Sequence, residues 1–254
     1  MLTAGIDLAS QPAKTGAVVI DWSGPAPIVV QAMRGVDDAD VAAVCAAIAS
    51  ASAGGKVGID CPLGWPVAFV QYVTAHAARL PLPYPLPTSA ELRLRVTDHV
   101  QVAAGRRPLS VSTDKLGSTA LRAARILAGV AAAHGPSAAD RTGGGLIAEV
   151  YPAASRNAWR LSPTQRDLAP LTEPLGLRMT PELTGVLSNE HIFDALVAAL
   201  TARAAVLGQT VAPEQHQIPA ARVEGWIHAP VPGHQITDLG HCDGVSPRSR
   251  EAIP

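Results

Sequence analysis

Four acidic residues stand at the ends of predicted strands or near the start of a predicted helix. Asp7 ends the strand in GIDLA, Asp60 ends the strand in VGIDCP, Glu149 ends the strand in LIAEVYP, and Asp194 lies in the first turns of HIFDALVAAL. In open α/β sheets the carboxyl ends of strands carry the chemistry. Each acid has apolar neighbours, and a carboxylate in such surroundings is costly unless it is paired or metal-bound. We therefore predict that the four carboxylates converge on one site.

Converging carboxylates repel one another, and a hard divalent cation relieves that repulsion. Oxygen ligands favour Mg²⁺ or Mn²⁺, and two such ions can activate a water molecule and stabilise the leaving oxygen of a phosphodiester. On this interpretation Asp7, Asp60, Glu149 and Asp194 are the metal ligands and catalytic residues of a metal-dependent nuclease. The alternative for each acid is structural: a helix cap, a turn residue or, for Asp194, an ion pair with Arg203.

A basic segment after the second predicted helix contains a short motif of arginines and an acid. Arg93 and Arg95 have the spacing that places two side chains on one side of a strand, with Asp98 nearby. Arginines beside an acidic metal site can hold a phosphate or offset the carboxylates. We predict both as substrate-binding residues, and the alternative is an internal salt bridge that fixes the segment in place.

One histidine and three aromatic residues are further candidates. His191 lies three residues before Asp194, on the same helix face, where it can act as a general base or simply cap the helix. Trp65, Trp226 and Tyr151 can stack on nucleobases, although packing in the core is the more common role of such residues.

The order of predicted elements indicates the fold. Three strands with short, turn-rich joints come first, in LTAGIDLA, KTGAVVIDW and PAPIVVQAM, and this favours antiparallel pairing. A helix with apolar residues at helical spacing, the strand KVGID and a second helix follow. After an insertion at about 84–141 come a strand before Glu149 and a long final helix, and the segment ARVEGWIHAP can add a short terminal strand.

This order predicts an α/β fold with a mixed five-stranded sheet. Three antiparallel strands precede the parallel ones, helices cover both faces, and the insertion is helical. It is the order of the ribonuclease H-like fold, a step made by analogy. We expect one domain over residues 1–230 and a flexible tail over residues 231–254, which contain Gly, Pro, His and Ser without periodicity.

Composition limits the function classes. The 254 residues carry a formal net charge of −1, which excludes a strongly basic nucleic-acid binder and favours a small or structured substrate. The three cysteines form no CxxC pair, so a structural zinc site is not expected. The sequence begins without a basic or apolar leader and has no apolar run long enough for a bilayer, so we predict a cytoplasmic protein without a membrane segment. A homo-oligomer is compatible with these features.

The chain resembles the bacterial family catalogued as domain of unknown function 429. The likeness is carried by GIDLAS, VGIDCPLGWP, LRLRVTDHV, EVYPAA, HIFDALVAALTAR and EGWIHAP, in this order, over about residues 3–230. Members of that family are described as predicted ribonuclease H-like nucleases. The resemblance implies the same fold and a nuclease that acts on nucleic acid or nucleotides, with Asp7, Asp60, Glu149 and Asp194 as the matching acids.

Two other functions are open at this stage. An actin-like ATPase or small-molecule kinase would share the fold and use the glycine run in TGGGLIAE as a phosphate loop. A binding module would keep the fold without turnover. No GxSxG elbow and no GxxxxGK[ST] loop occurs, so a serine hydrolase and a P-loop enzyme are not supported.

Overall fold

The computed structural model describes residues 1–51, 54–112 and 114–240. The strands are β1 (Leu2–Asp7), β2 (Gly16–Asp21), β3 (Ile28–Arg34), β4 (Lys56–Asp60), β5 (Ile147–Val150) and β6 (Ile227–His228). The first five helices are α1 (Asp38–Ala49), α2 (Val67–Ala77), α3 (Ser89–Arg93), α4 (Val96–Ala103) and α5 (Asp114–His134). The other helices are α6 (Pro152–Ala158), α7 (Ala169–Thr172), α8 (Pro181–Leu187), α9 (Glu190–Val206) and α10 (Ile218–Glu224).

The six strands form one mixed sheet in the order β3-β2-β1-β4-β5-β6. Strands β1, β2 and β3 pair antiparallel, and β4, β5 and β6 continue from β1 in parallel. The predicted mixed sheet is therefore confirmed, but the predicted number of five strands is wrong. The additional strand is β6, two residues long, which lies in the segment ARVEGWIHAP where a short terminal strand was an open alternative to the five.

Helix α9 packs on one face of the sheet. Its sequence is apolar on all sides, as expected of a helix that is buried all round, and most of its residues are inaccessible to solvent. Glycines in the strands beneath allow a close approach: a Cβ on Gly58 would lie 2.7 Å from the carbonyl oxygen of Ala198. The close packing of α9 against β1 and β4 fixes the height of its side chains above the sheet.

Helices α1 and α5 cover the opposite face. Helix α1 begins with a capping box between Asp37 and Asp40, and its predicted periodic residues Val41, Val44, Cys45 and Ile48 are buried. Apolar residues of α5 join the same core cluster as those of α1 and the sheet. Although α5 belongs to the predicted insertion, it is thus part of the core of the domain.

One buried arginine of α5 ties the helix to the sheet. The Arg122 guanidinium donates to Asp38 Oδ1 at 2.6 Å, to the Ala9 carbonyl oxygen at 2.8 Å and to Thr15 Oγ1 at 2.6 Å. Asp38 starts α1, and the other two residues lie in the loop after β1. The contacts hold α5 beside the edge of the sheet where β1 ends.

The end of the described chain packs against the domain. A helical turn at Ile236–Gly240 buries Ile236 and Leu239 in the core cluster under α9. Residues 231–240 were predicted to belong to a flexible tail and instead contribute to this core, whereas residues 241–254 lie outside the described residues. In the described residues, no helix has the length and apolarity needed to cross a membrane.

Candidate functional site

Asp7 and Asp60 lie side by side at the carboxyl edge of the sheet. They are the last residues of β1 and β4 and are register partners in the parallel pair. Since residues two apart in a strand share a face, both carboxylates point to the same side as Gly5 and Gly58. That side is covered by α9. The prediction that these two acids meet is confirmed.

Helix α9 brings Asp194 and His191 over the same edge. The helix begins after Asn189, whose side chain accepts a hydrogen bond from the His191 amide at 3.1 Å. Atom Nδ1 of His191 lies 2.8 Å from Oδ2 of Asp7. Asp194 is one turn further along α9, close enough to interact electrostatically with Asp7 and Asp60. The structure therefore groups three of the four predicted acids and adds a histidine.

Burial and mutual repulsion disfavour ionisation of these acids. Burial, together with the charge of Asp194, raises the pKa of Asp7 to about 6, against the hydrogen bond from His191. Burial and the charges of Asp7, Asp194 and Glu149 raise the pKa of Asp60 well above its ordinary value. The pKa of Asp194 is also raised by burial, although Arg156 opposes the shift. A nearby cation would reverse these shifts because it favours the ionised form.

The carboxylates retain unused capacity to bind a ligand. Among the described residues, no group donates a hydrogen bond to Asp60, and Asp7 is bonded to His191 alone. Asp194 has only a long ion pair of 3.7 Å with Arg156. The side chains of Asp7 and Asp194 are 18 % and 29 % exposed, so a small ion can reach them.

The oxygen donors fit Mg²⁺ or Mn²⁺ in chemical type. Their present spacing is looser than that of a finished metal centre, since no group of three or more His, Cys, Asp or Glu in the described part of the chain is close enough to hold an ion.

Glu149 lines the same cavity as Asp7 and Asp60, but its carboxylate is turned away from the three aspartates. It pairs with Ile59 of β4, not with Asp60, so its side chain leaves the sheet on the opposite face. Its Oε1 accepts from Arg95 Nη2 at 2.7 Å, and its Oε2 accepts from Arg95 Nη1 at 2.8 Å and from the Leu63 amide at 3.0 Å. Both oxygens are committed to protein donors, and the geometry does not support Glu149 as a fourth metal ligand.

Arg95 is the centre of a buried ionic network. Its other donors bond both carboxylate oxygens of Asp98, at 3.1 and 3.0 Å, and the Glu224 carbonyl oxygen at 3.0 Å. Together with the Glu149 contacts these bonds use all five of its N–H groups. Burial lowers the pKa of Arg95, but the charges of Glu149 and Asp98 outweigh this and raise the pKa above its usual range. The geometry thus favours the internal salt bridge over the predicted phosphate contact.

The two arginines of the motif do not lie on a strand. Arg93 ends α3 and is exposed, whereas Arg95 precedes α4 and is 1 % exposed. The predicted shared strand face is wrong because two short capped helices form here. Thr88 and Glu91 make a capping box for α3, and Asp98 bonds the Arg95 amide at 2.8 Å.

A cavity of about 270 Å³ opens beside Asp7 and Asp60. Tyr151 lines it and is half-buried, whereas Trp65 is not among its lining residues. Trp226 is buried and its Nε1 donates to the Val211 carbonyl oxygen at 2.9 Å, so this residue has a packing role. Sequence reasoning did not identify the apolar wall of the cavity, which includes Leu109 and Leu116, because these residues carry no chemical signal.

The glycine run, residues 143–145, lies at the amino ends of the parallel strands, whereas Asp7 and Asp60 lie at their carboxyl ends. It precedes β5, so it is at the amino end of that strand and away from Asp60. Its carbonyl oxygens at Gly143 and Gly145 each accept from Lys56 Nζ at 2.6 Å. A loop whose carbonyl groups bind an ammonium group is not arranged to hold a phosphate, which needs donors.

The chain was compared with known protein families, curated proteins and solved structures. The model of the family "Protein of unknown function (DUF429)" matches residues 5–218, and the chain belongs to that family. No curated protein and no solved structure matches it. Membership names the relatives of the chain without assigning an activity.

Proposed function

For this member of the DUF429 family, we propose a divalent-metal-dependent hydrolase that cleaves a phosphodiester bond in nucleic acid or in a nucleotide. The observation that carries the proposal is the pair of adjacent carboxylates, Asp7 and Asp60, at the carboxyl ends of neighbouring parallel strands. Asp60 has no hydrogen-bond donor among the described residues, and the charge of Asp7 raises its pKa further. Such a pair is costly to keep ionised unless a cation binds it.

The topology supports this reading by analogy. An antiparallel β1–β3 unit followed by parallel strands, with acids ending β1 and β4 and another on a long helix across them, agrees with the ribonuclease H-like arrangement. Fold analogy raises the expectation of a nuclease and does not replace the argument from the site.

Each residue of the site has a distinct role in this proposal. Asp7, Asp60 and Asp194 would hold Mg²⁺ or Mn²⁺. When bound, the ion supplies Lewis-acid polarisation of the phosphoryl group and lowers the pKa of water. His191 orients Asp7 through the contact of 2.8 Å, and Arg156 restrains Asp194 from the other side. The Arg95–Glu149 pair fixes the backbone after β4 through the Leu63 amide.

The location of the glycine run weakens the kinase alternative. A phosphate loop would have to lie at the carboxyl edge, beside Asp7 and Asp60, to serve the same site. The run lies at the other edge and binds Lys56 through its carbonyl oxygens. The following experiment also tests the remaining alternative, a binding module without catalytic turnover.

The test is cleavage of single-stranded DNA, single-stranded RNA and a dinucleotide, with Mg²⁺, with Mn²⁺ and with EDTA. We expect metal-dependent cleavage that is lost in Asp7→Asn and Asp60→Asn. Asp21→Asn is the matched control because Asp21 also ends a strand, at the opposite edge of the sheet, and should keep activity. Cleavage in EDTA, or full activity of Asp60→Asn, would contradict the proposal. Substrate binding without cleavage under every condition would favour the binding module.

A further inference from the structure

The cavity beside the aspartates has the size of a pocket for one small group. Its volume of about 270 Å³ lies just below the roughly 300–1,000 Å³ of pockets for drug-sized ligands. A stretch of nucleic acid cannot enter such a space, but one group that leaves the stack can.

Most of the cavity wall is apolar. The apolar part comes from the turns after β1 and β4, from β5 and β6, from the segment between α4 and α5, and from the first turn of α5. Its residues include Leu8, Pro62, Pro108, Leu109, Leu116 and Ile227. Leu109 is 53 % exposed and lies in a loop, so an apolar side chain remains open to solvent at this wall. An uncharged ligand would cover that surface at a gain in free energy.

The polar part of the wall does not suit a phosphate. Arg95 lines the cavity, but all five of its N–H groups are already bonded to protein acceptors. The carboxylates of Asp7 and Asp60 would repel a phosphate placed inside. The anionic part of a substrate must therefore lie at the aspartates with the cation, and an uncharged part is left for the cavity.

Two hydroxyl groups can recognise the edge of such a ligand. Tyr151 and Thr119 line the cavity, and neither side chain has a hydrogen-bond partner among the residues that the structure describes. Burial raises the pKa of Tyr151, so its hydroxyl stays protonated and can donate. The phenol ring adds an aromatic surface of the kind on which nucleobases stack.

We infer that the cavity binds a single unstacked nucleobase next to the phosphate that is cleaved. Tyr151 and the apolar wall take the base, and Asp7 and Asp60 face its phosphate through the cation. The inference rests on the proposed function, because that function sets the phosphate at the aspartates. Because a paired base cannot enter the cavity, the substrate would be single-stranded nucleic acid or a free nucleotide.

The test compares ligands with and without a base. Calorimetric titration at saturating Mn²⁺ would measure binding of AMP, GMP, CMP and UMP, with ribose 5-phosphate as the probe that lacks a base. We expect the wild-type chain to bind at least one of the four nucleotides about tenfold more tightly than ribose 5-phosphate, a difference of about 1.4 kcal/mol.

Filling the cavity should remove the preference for a base. Leu116→Trp places a large side chain in the wall, and Leu121→Trp is the control on the same helix, where Leu121 is 58 % exposed and does not line the cavity. We expect Leu116→Trp to bind nucleotides no better than ribose 5-phosphate and to keep its affinity for Mn²⁺. Leu121→Trp should behave as the wild type. If Leu116→Trp does not fold, Leu109→Trp in the exposed loop replaces it.

The outcomes separate this inference from the proposed function. Equal binding of ribose 5-phosphate and all four nucleotides, or an unchanged preference in the filled variant, would overturn the base site and leave the hydrolase in place. A wild-type chain that prefers nucleotides but binds no Mn²⁺ would support the base site and contradict the metal-dependent hydrolase.

Discussion

Asp60 is a residue whose ionised form the fold disfavours. Its carboxylate is half-buried beside Asp7 and receives no hydrogen bond from the described residues. The native state therefore binds a proton at Asp60 more tightly than the unfolded chain does. Below its ordinary pKa near 3.8 the group is protonated in both states, and as the pH rises the native state loses the corresponding stability.

The first prediction concerns Asp60→Asn without metal. At pH 7.5 the variant should be more stable than the wild type by about 1–2 kcal/mol, because it replaces a group whose ionised form the folded site disfavours. The gain should shrink as the pH falls toward 4. Urea unfolding at several pH values measures it. Asp21→Asn should give no such gain, since a backbone hydrogen bond from Ser23 lowers the pKa of Asp21. A less stable Asp60→Asn at pH 7.5 would disagree with this account.

The second prediction concerns Glu149, which we now assign to the buried network. Glu149→Gln should cost about 3–5 kcal/mol of unfolding free energy, because it removes one of the two carboxylates that balance the buried Arg95 charge. Glu182→Gln is the control, since the Glu182 side chain is exposed. Chemical denaturation measures both variants. A cost below about 1 kcal/mol would argue against a structural role for the pair.

At the scale of elements, the approach of α9 to the sheet decides where Asp194 and His191 lie. The third prediction is that Gly58→Ala lowers stability by about 1–3 kcal/mol through overpacking, because the new Cβ would lie 2.7 Å from the Ala198 oxygen. We also expect weaker Mn²⁺ binding, since α9 must move. Gly129→Ala is the control, because a Cβ on Gly129 meets nothing within 4 Å. Thermal unfolding and Mn²⁺ titration measure both effects, and unchanged values for Gly58→Ala would contradict them.

The sequence predicts the positions of strand ends, but it does not reveal strand register or tertiary packing. Strand ends were recognisable, so Asp7 and Asp60 were correctly brought together. Glu149 stands one residue before the end of β5, and the side of the sheet on which it leaves depends on strand register, which the sequence does not reveal. The TSAE sequence at Thr88 and Glu91 is a capping-box pattern that predicts a helix start, and it argues against the strand inferred from the spacing of Arg93 and Arg95 alone. The pairing of His191 with Asp7 depends on tertiary packing.

At the scale of the whole molecule, the charge balance limits how substrate is held. The formal net charge of −1 leaves little general attraction for a phosphate backbone. The fourth prediction is that the logarithm of nucleic-acid affinity falls with the logarithm of salt concentration with a slope of about −1 or shallower, as for one phosphate contact. Fluorescence anisotropy with a labelled single strand measures the slope at fixed Mn²⁺. A slope steeper than about −4 would indicate a long phosphate-binding surface.

The proposed hydrolase requires that the aspartates at the carboxyl edge of the sheet bind a divalent cation. Calorimetric titration with Mn²⁺ of the wild type, Asp60→Asn and Asp21→Asn tests it most directly. We predict saturable binding to the wild type and to Asp21→Asn, and at least about a tenfold loss of affinity in Asp60→Asn. Equal Mn²⁺ affinity in all three proteins, or no binding to the wild type, would contradict the central claim.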